Sequence, residues 1–186
     1  MKRIVILASG SGTLAQAIFD AQLDADIVAV ISDQKDAAVL ERAHTARIET
    51  FTISMLPDRT EWDRELETLI AALKPDLVVS AGFMRILSER ITSRFRIINS
   101  HPALLPLFPG AHAVRDALSA GATQTGTTIH WVDAGVDTGQ VIAQERVEIL
   151  AGDTQESLHE RIKIVERGLI VATIAALLPT LEKTNG

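Results

Sequence analysis

The sequence predicts an α/β, doubly wound fold: a mostly parallel sheet covered by helices, with a C-terminal antiparallel hairpin and a long terminal helix. Three observations carry this expectation. Short β-rich runs, apolar on both faces, alternate with helical stretches, as in a parallel sheet buried between helices. The first run opens through a glycine loop into a helix. Two later segments separated by a Gly-containing turn break the rhythm and read as a hairpin. The 186 residues suit one domain over positions 1–186, with its body ending near Pro179 and a short polar tail after it.

Taken in order, residues 4–7, Ile-Val-Ile-Leu, form the first buried run. Residues 14–23 and 37–46 show apolar positions three and four apart, the period of a helix. Residues 27–31 form a second strand between them. Over residues 61–73, Trp62, Leu66, Leu69, Ile70 and Leu73 share one helical stripe, and Pro75 stands just past its end. Residues 77–81 and 96–99 are the third and fourth strands. Residues 126–132 and 140–147 make the hairpin, and a long helix covers about 154–178.

Composition narrows the function. The chain is 47% hydrophobic and 23% charged, which suits a soluble globular protein and excludes disorder as the main state. It has no cysteine, which removes disulfide frameworks, Cys-ligated zinc, iron–sulfur clusters and a cysteine nucleophile. The net charge of −6 argues against a nucleic-acid partner, so an anionic substrate needs locally placed basic groups or helix N-termini. No apolar run reaches the ~18–20 residues of a membrane span. The five apolar residues after Met1-Lys2-Arg3 fall short of a signal segment of ~7–15. A cytoplasmic protein without a membrane partner is expected.

After the first strand comes Ser9-Gly10-Ser11-Gly12-Thr13-Leu14-Ala15. This fits G-x-G-x-x-A between a strand and a helix, where glycines allow a sharp turn and helix amides favour a phosphate. Asp33, after the second strand, meets the acidic requirement of a dinucleotide site. The motif alone leaves a dinucleotide, a monophosphate and a plain tight turn all open. Ser11 lacks the G-x-S-x-G elbow of a serine hydrolase.

The fourth strand runs into Asn99-Ser100-His101-Pro102. If the extended backbone continues through Ser100, Asn99 and His101 point to one side. The loop Asp133-Ala134-Gly135-Val136-Asp137-Thr138-Gly139 between the hairpin strands can bring Asp137 to the same place. These three types suit chemistry at a carbonyl. An amide donor to an oxyanion is worth ~10²–10³ in rate and a proton-moving His ~10²–10⁴. A nearby carboxylate favours imidazolium and fixes its orientation. With no Cys and no activated Ser, the attacking group belongs to a substrate. Each residue also has a plain reading: a turn former, a satisfied histidine, a loop cap. His130 reads as a structural member of its strand, His44 and His112 as helix-face or capping residues, and His159 as solvated. The histidine spacing does not suit a metal.

These residues, together with Ala81-Gly82-Phe83-Met84-Arg85-Ile86-Leu87, Leu104-Leu105-Pro106, Phe108-Pro109-Gly110 and Gly126-Thr127-Thr128-Ile129-His130, resemble the phosphoribosylglycinamide formyltransferase family. The resemblance covers roughly residues 4–177. It implies a Rossmann-like formyltransferase fold and transfer of a formyl group from 10-formyltetrahydrofolate to the amine of phosphoribosylglycinamide in purine biosynthesis. By motif, Asn99 and His101 would steady the oxyanion, His101 would donate the proton, and Asp137 would favour protonated His101 and order a relay water. Gly12, Thr13 and Leu14 would meet the substrate phosphate through backbone amides. Met84, Arg85, Ile86 and Leu87 would line the pterin pocket with Asn99, and Arg59 would contact the folate. Lys163 and Glu166 would meet the phosphoribosyl part, with a surface ion pair as their plain alternative. No metal is implied, and monomer and homodimer are both compatible.

The chain departs from the family pattern at two places. Many relatives carry Asn where Ser11 and Leu14 stand, so backbone amides must do the phosphate binding here. Relatives often carry a second His where Val114 stands, so that substrate contact is lost. Among alternatives, formyltetrahydrofolate deformylase and methionyl-tRNA formyltransferase share the core but usually carry a further N-terminal or C-terminal domain, which is not expected here. An NAD-dependent oxidoreductase, read from the loop and Asp33, leaves Asn99, His101 and Asp137 unexplained together.

Overall fold

Each side chain from Ile4 to Leu7 is fully buried, which requires cover on both faces of strand β1 (Lys2–Leu7). Helices supply it. Ile4 and Ile6 join a cluster with α1 (Thr13–Asp20), α2 (Ala38–Thr45) and α6 (Gln155–Leu177). Val5 and Leu7 join the opposite cluster with Trp62, Leu66 and Ile70 of α3 (Arg59–Leu73) and Ile91 of α4 (Glu89–Thr92). Burial at ~25 cal/mol per Å² of apolar surface on both faces is what selects this sandwich of layers. The computed structural model describes residues 1–182. The expected polar tail lies, from residue 183 on, outside the described residues.

The other strands are β2 (Ala25–Ser32), β3 (Glu49–Thr52), β4 (Leu77–Ser80), β5 (Ile97–His101), β6 (Gln124–Trp131) and β7 (Val141–Glu148). They form one seven-stranded sheet in the order β3-β2-β1-β4-β5-β6-β7. The first five are parallel; β6 runs antiparallel to β5, and β7 to β6. The order reverses between β1 and β4, the position outside whose carboxyl ends ligands bind in such sheets.

Several boundaries differ from expectation for physical reasons. β3 has no apolar run, because it is an edge strand with one half-buried and three exposed residues. The helix expected over 14–23 stops at Asp20, and the short α4 and α5 (Ala113–Ser119) carry too few residues to show a period. The fourth strand continues to His101, two residues past its expected end. Its partner β6 puts Asn99 opposite His130 and His101 opposite Thr128. Thr154 starts α6 with a reciprocal cap to Ser157, and Asp58 caps α3 through the amides of Thr60 and Glu61.

Candidate active site

A cleft of about 580 Å³ lies where β1, β4 and β5 end. Its walls are the glycine loop, the segment 81–87 after β4, the end of β5, the loop after β6 and one face of α6. The size suits a small ligand site.

The glycine loop is shaped by contacts that only glycine permits. Gly12 holds φ 73°, and a Cβ there would come within 2.6 Å of Val39. The loop is fastened from α2: the Val39 amide donates to the Gly10 carbonyl at 3.1 Å, and Arg42 Nε to the Ser11 carbonyl at 2.7 Å. Gly12 is the N-cap of α1, and no side chain caps the helix, so its first amides are left for a ligand at the cleft. Leu14 is a buried core residue in the α1 cluster, which accounts for an apolar side chain at a position that offers a ligand only its amide.

In the cleft wall, β5 carries Asn99 and His101 on one face, as alternation requires. Asp137 arrives from the loop after β6, held in the left-handed region at φ 54°. Asp133 orders that loop by accepting from the Gly135 amide at 3.0 Å and the Thr138 hydroxyl at 2.6 Å. Asp137 Oδ2 accepts from the Gly110 amide at 2.8 Å and lies 3.4 Å from His101 Nδ1. His101 Nε2 donates to the Phe108 carbonyl at 2.8 Å. Both ring nitrogens of His101 therefore face acceptors, and only the doubly protonated ring donates to both.

His130, read from sequence as structural, is a strand residue and also part of this cluster. Its Nδ1 donates to the Trp131 carbonyl at 2.9 Å. Its Nε2 stands 3.2 Å from the Asn99 amide nitrogen and 3.6 Å from Asp137 Oδ1. Neutral, it accepts from Asn99; protonated, it donates to Asp137. The bond from His130 holds the Asp137 carboxyl below the usual aspartate value; burial opposes this, and the Gly110 amide and His101 add to it. Nothing in a single sequence places residue 130 opposite residue 99, because that is a matter of strand register.

On α6, Lys163 and Glu166 both line the cleft but do not pair with each other. Lys163 Nζ meets Glu160 at 2.8 Å, whereas the buried Glu166 accepts from the Ser100 hydroxyl at 2.5 Å. Burial pushes the Glu166 carboxyl up, with Ser100, Lys163 and Arg167 opposing. The expectation of a solvated His159 is corrected: it is half-buried in the cleft wall, and burial, with Lys163, lowers its pKa. His112 stands at the N-cap of α5 without a side-chain capping bond, and His44 lies in the last turn of α2. Val114 packs into a cluster with Val147, Leu158 and Ile162, so an apolar residue there fills core.

Segment 81–87 carries Met84, Arg85, Ile86 and Leu87 along the cleft. Asp33 and Arg59 both bond to protein groups. Asp33 is buried, lies outside the cleft lining and is engaged at both oxygens: it accepts from Ser9 at 2.5 Å, Gln34 at 3.0 Å and Arg85 at 2.7 Å. Arg59 does not line the cleft. It donates to Asp63 at 2.9 Å and to the Ile86 carbonyl, and its guanidinium lies 4.8 Å over the Trp62 ring. Among the described residues there is no group of three or more His, Cys, Asp or Glu able to hold a metal. No helix among them is long and apolar enough to cross a membrane.

The formyl transferase family model matches residues 2–174 of this chain. The chain belongs to the formyl transferase family. A phosphoribosylglycinamide formyltransferase of Mycobacterium tuberculosis is 50% identical over 182 residues, spanning 94% of this chain and 84% of its own length. The Escherichia coli protein of that name is 41% identical over 180 residues, spanning 92% and 85%. Among solved structures, glycinamide ribonucleotide transformylase 1 from Symbiobacterium toebii superimposes with a TM-score of 0.91 at 42% identity, covering 94% of this formyl transferase and 86% of that chain.

Proposed function

We propose that this formyl transferase passes the formyl group of 10-formyltetrahydrofolate to the amine of 5-phosphoribosylglycinamide, giving formylglycinamide ribonucleotide and tetrahydrofolate in purine biosynthesis. The observation that carries it is the convergence of Asn99, His101 and Asp137 on the cleft that the glycine loop also lines. The relatives of that name supply the substrates. One formyltransferase domain over 1–186, acting in the cytoplasm as a monomer or homodimer, completes the reading.

The substrate phosphate sits on the amides of Gly12, Thr13 and Leu14, and Lys163 and Glu166 meet the ribose and glycinamide. This orients the amine toward β5. Phe83, Leu87 and Val132 give the other arm apolar walls, and the main chain of 84–87 offers the donors and acceptors that a flat heterocycle edge needs. Arg59 supports that arm through Ile86. The amine attacks the formyl carbon, and the carbonyl oxygen becomes an oxyanion that accepts from the Asn99 amide and from His101. His101 exchanges its Phe108 partner for the substrate and donates the proton that the leaving folate nitrogen takes up. The attacking amine loses its proton through a water held by Asp137, and the carbonyl reforms as the carbon–nitrogen bond to the folate breaks.

The test is an assay of purified protein with 10-formyltetrahydrofolate, with and without phosphoribosylglycinamide. Loss of the formyl donor that depends on the amine is expected. Equal loss without the amine would make the protein a deformylase.

A further inference from the structure

Asp33 is a buried carboxylate that the transfer chemistry does not use. It sits just beyond β2, yet its bonds reach the loops after β1 and β4. Oδ1 accepts from Ser9 Oγ at 2.5 Å, and Ser9 Oγ in turn accepts from the Met84 amide at 2.8 Å. Oδ2 accepts from Arg85 Nε at 2.7 Å and Gln34 Nε2 at 3.0 Å. One carboxylate thus fixes both the main chain at residue 84 and the side chain at residue 85. A buried charge held by three hydrogen bonds costs much to loosen, so the two residues move only if the network breaks.

We propose that Asp33 is a positioning residue for the formyl donor: through Ser9 and Arg85 it sets the segment 84–87 whose main chain reads the heterocycle. The inference rests on the proposed function. It predicts an asymmetry, because the glycine loop, whose first residue Ser9 also bonds Asp33, has further fastenings from α2 through Val39 and Arg42. Loosening Asp33 therefore disturbs the donor arm more than the phosphate arm.

The test is two-substrate kinetics on the full chain with Asp33→Ala, Asp33→Asn, Ser9→Ala and Arg85→Ala. Asp33→Ala raises KM for 10-formyltetrahydrofolate about tenfold, the effect of losing one charge-assisted bond, and leaves KM for phosphoribosylglycinamide within about twofold. Asp33→Asn keeps one carbonyl acceptor and recovers part of the loss. Ser9→Ala and Arg85→Ala each give a smaller rise in the donor KM and serve if Asp33→Ala does not fold. Equal rises for both substrates, or an unchanged donor KM in all four variants, overturn the inference while wild-type turnover leaves the proposed function standing. A wild type that transfers no formyl group removes both.

Discussion

At the glycine-loop end of the cleft stand Gly12, Thr13 and Leu14, where no side chain caps the first amides of α1, whereas at the hairpin end the lining is side chains of Asn99, His101, His130 and Asp137. The first set comes from consecutive residues and depends on backbone conformation. The second comes from β5, β6 and the following loop and depends on register. A main-chain site tolerates changes of side chain but not of φ. A side-chain site tolerates a small backbone shift better than the loss of any one functional group, because each member satisfies another. Asp137 shows this directly: its carboxylate faces His101, His130 and the Gly110 amide at once.

The contrast breaks most visibly at Asp137. Asp137→Asn removes the carboxylate charge that faces His101 Nδ1 at 3.4 Å and is expected to lower turnover about 10²–10⁴-fold with the fold intact. The check is the pH–rate profile of the purified variant, which must shift along with the loss; an unshifted profile would reject the role. Asn99→Ala follows, with an expected loss of about 10²–10³ in turnover for a missing oxyanion donor. Its circular dichroism spectrum should match the wild type, and near-normal turnover would count against Asn99.

The sheet was legible wherever both faces of a strand are buried, as at residues 4–7 and 77–80, because an unbroken short apolar run between turn residues suits little besides a strand covered on both sides. The edge strand Glu49–Thr52 was not, since exposure removes that signal. In the site, the Asn99–His101 spacing carried its own geometry, as the strand period is two. His130 and Ser100 were hidden for a different reason. Their partners, Asn99 with Asp137 and Glu166, lie in elements whose register and packing no local pattern encodes. Asp33 had a plausible ligand by motif, but it is held by Ser9 and Arg85, which only the folded chain brings near.

A substitution at the main-chain end acts through conformation. Gly12→Ala puts a Cβ within 2.6 Å of Val39 at φ 73°. The expected cost is about 1–3 kcal/mol of stability, with KM for phosphoribosylglycinamide raised and KM for the formyl donor little changed. Thermal melts and the two KM values check it. A donor KM that rises as much as the phosphate-substrate KM would show that the two arms are not independent.

The smallest effect expected is at Glu166 in the α6 wall of the cleft, whose carboxyl is pushed up by burial. A carboxyl that binds its proton more tightly when folded makes the folded state the better proton acceptor. Stability then falls as pH rises from the unfolded carboxyl value, 4.5, toward the raised folded one. Asp137 has the opposite sign: its lowered value gives stability that is present above the unfolded aspartate range and lost as pH falls through the folded value. Glu166→Gln keeps an acceptor for the Ser100 hydroxyl and removes the titration. Denaturant melts across the mildly acidic range should show the variant losing less stability with rising pH than the wild type. Parallel curves would mean that Glu166 keeps its charge at no cost, and the α6 wall of the cleft would then hold a fixed negative charge rather than a carboxyl poised to gain a proton.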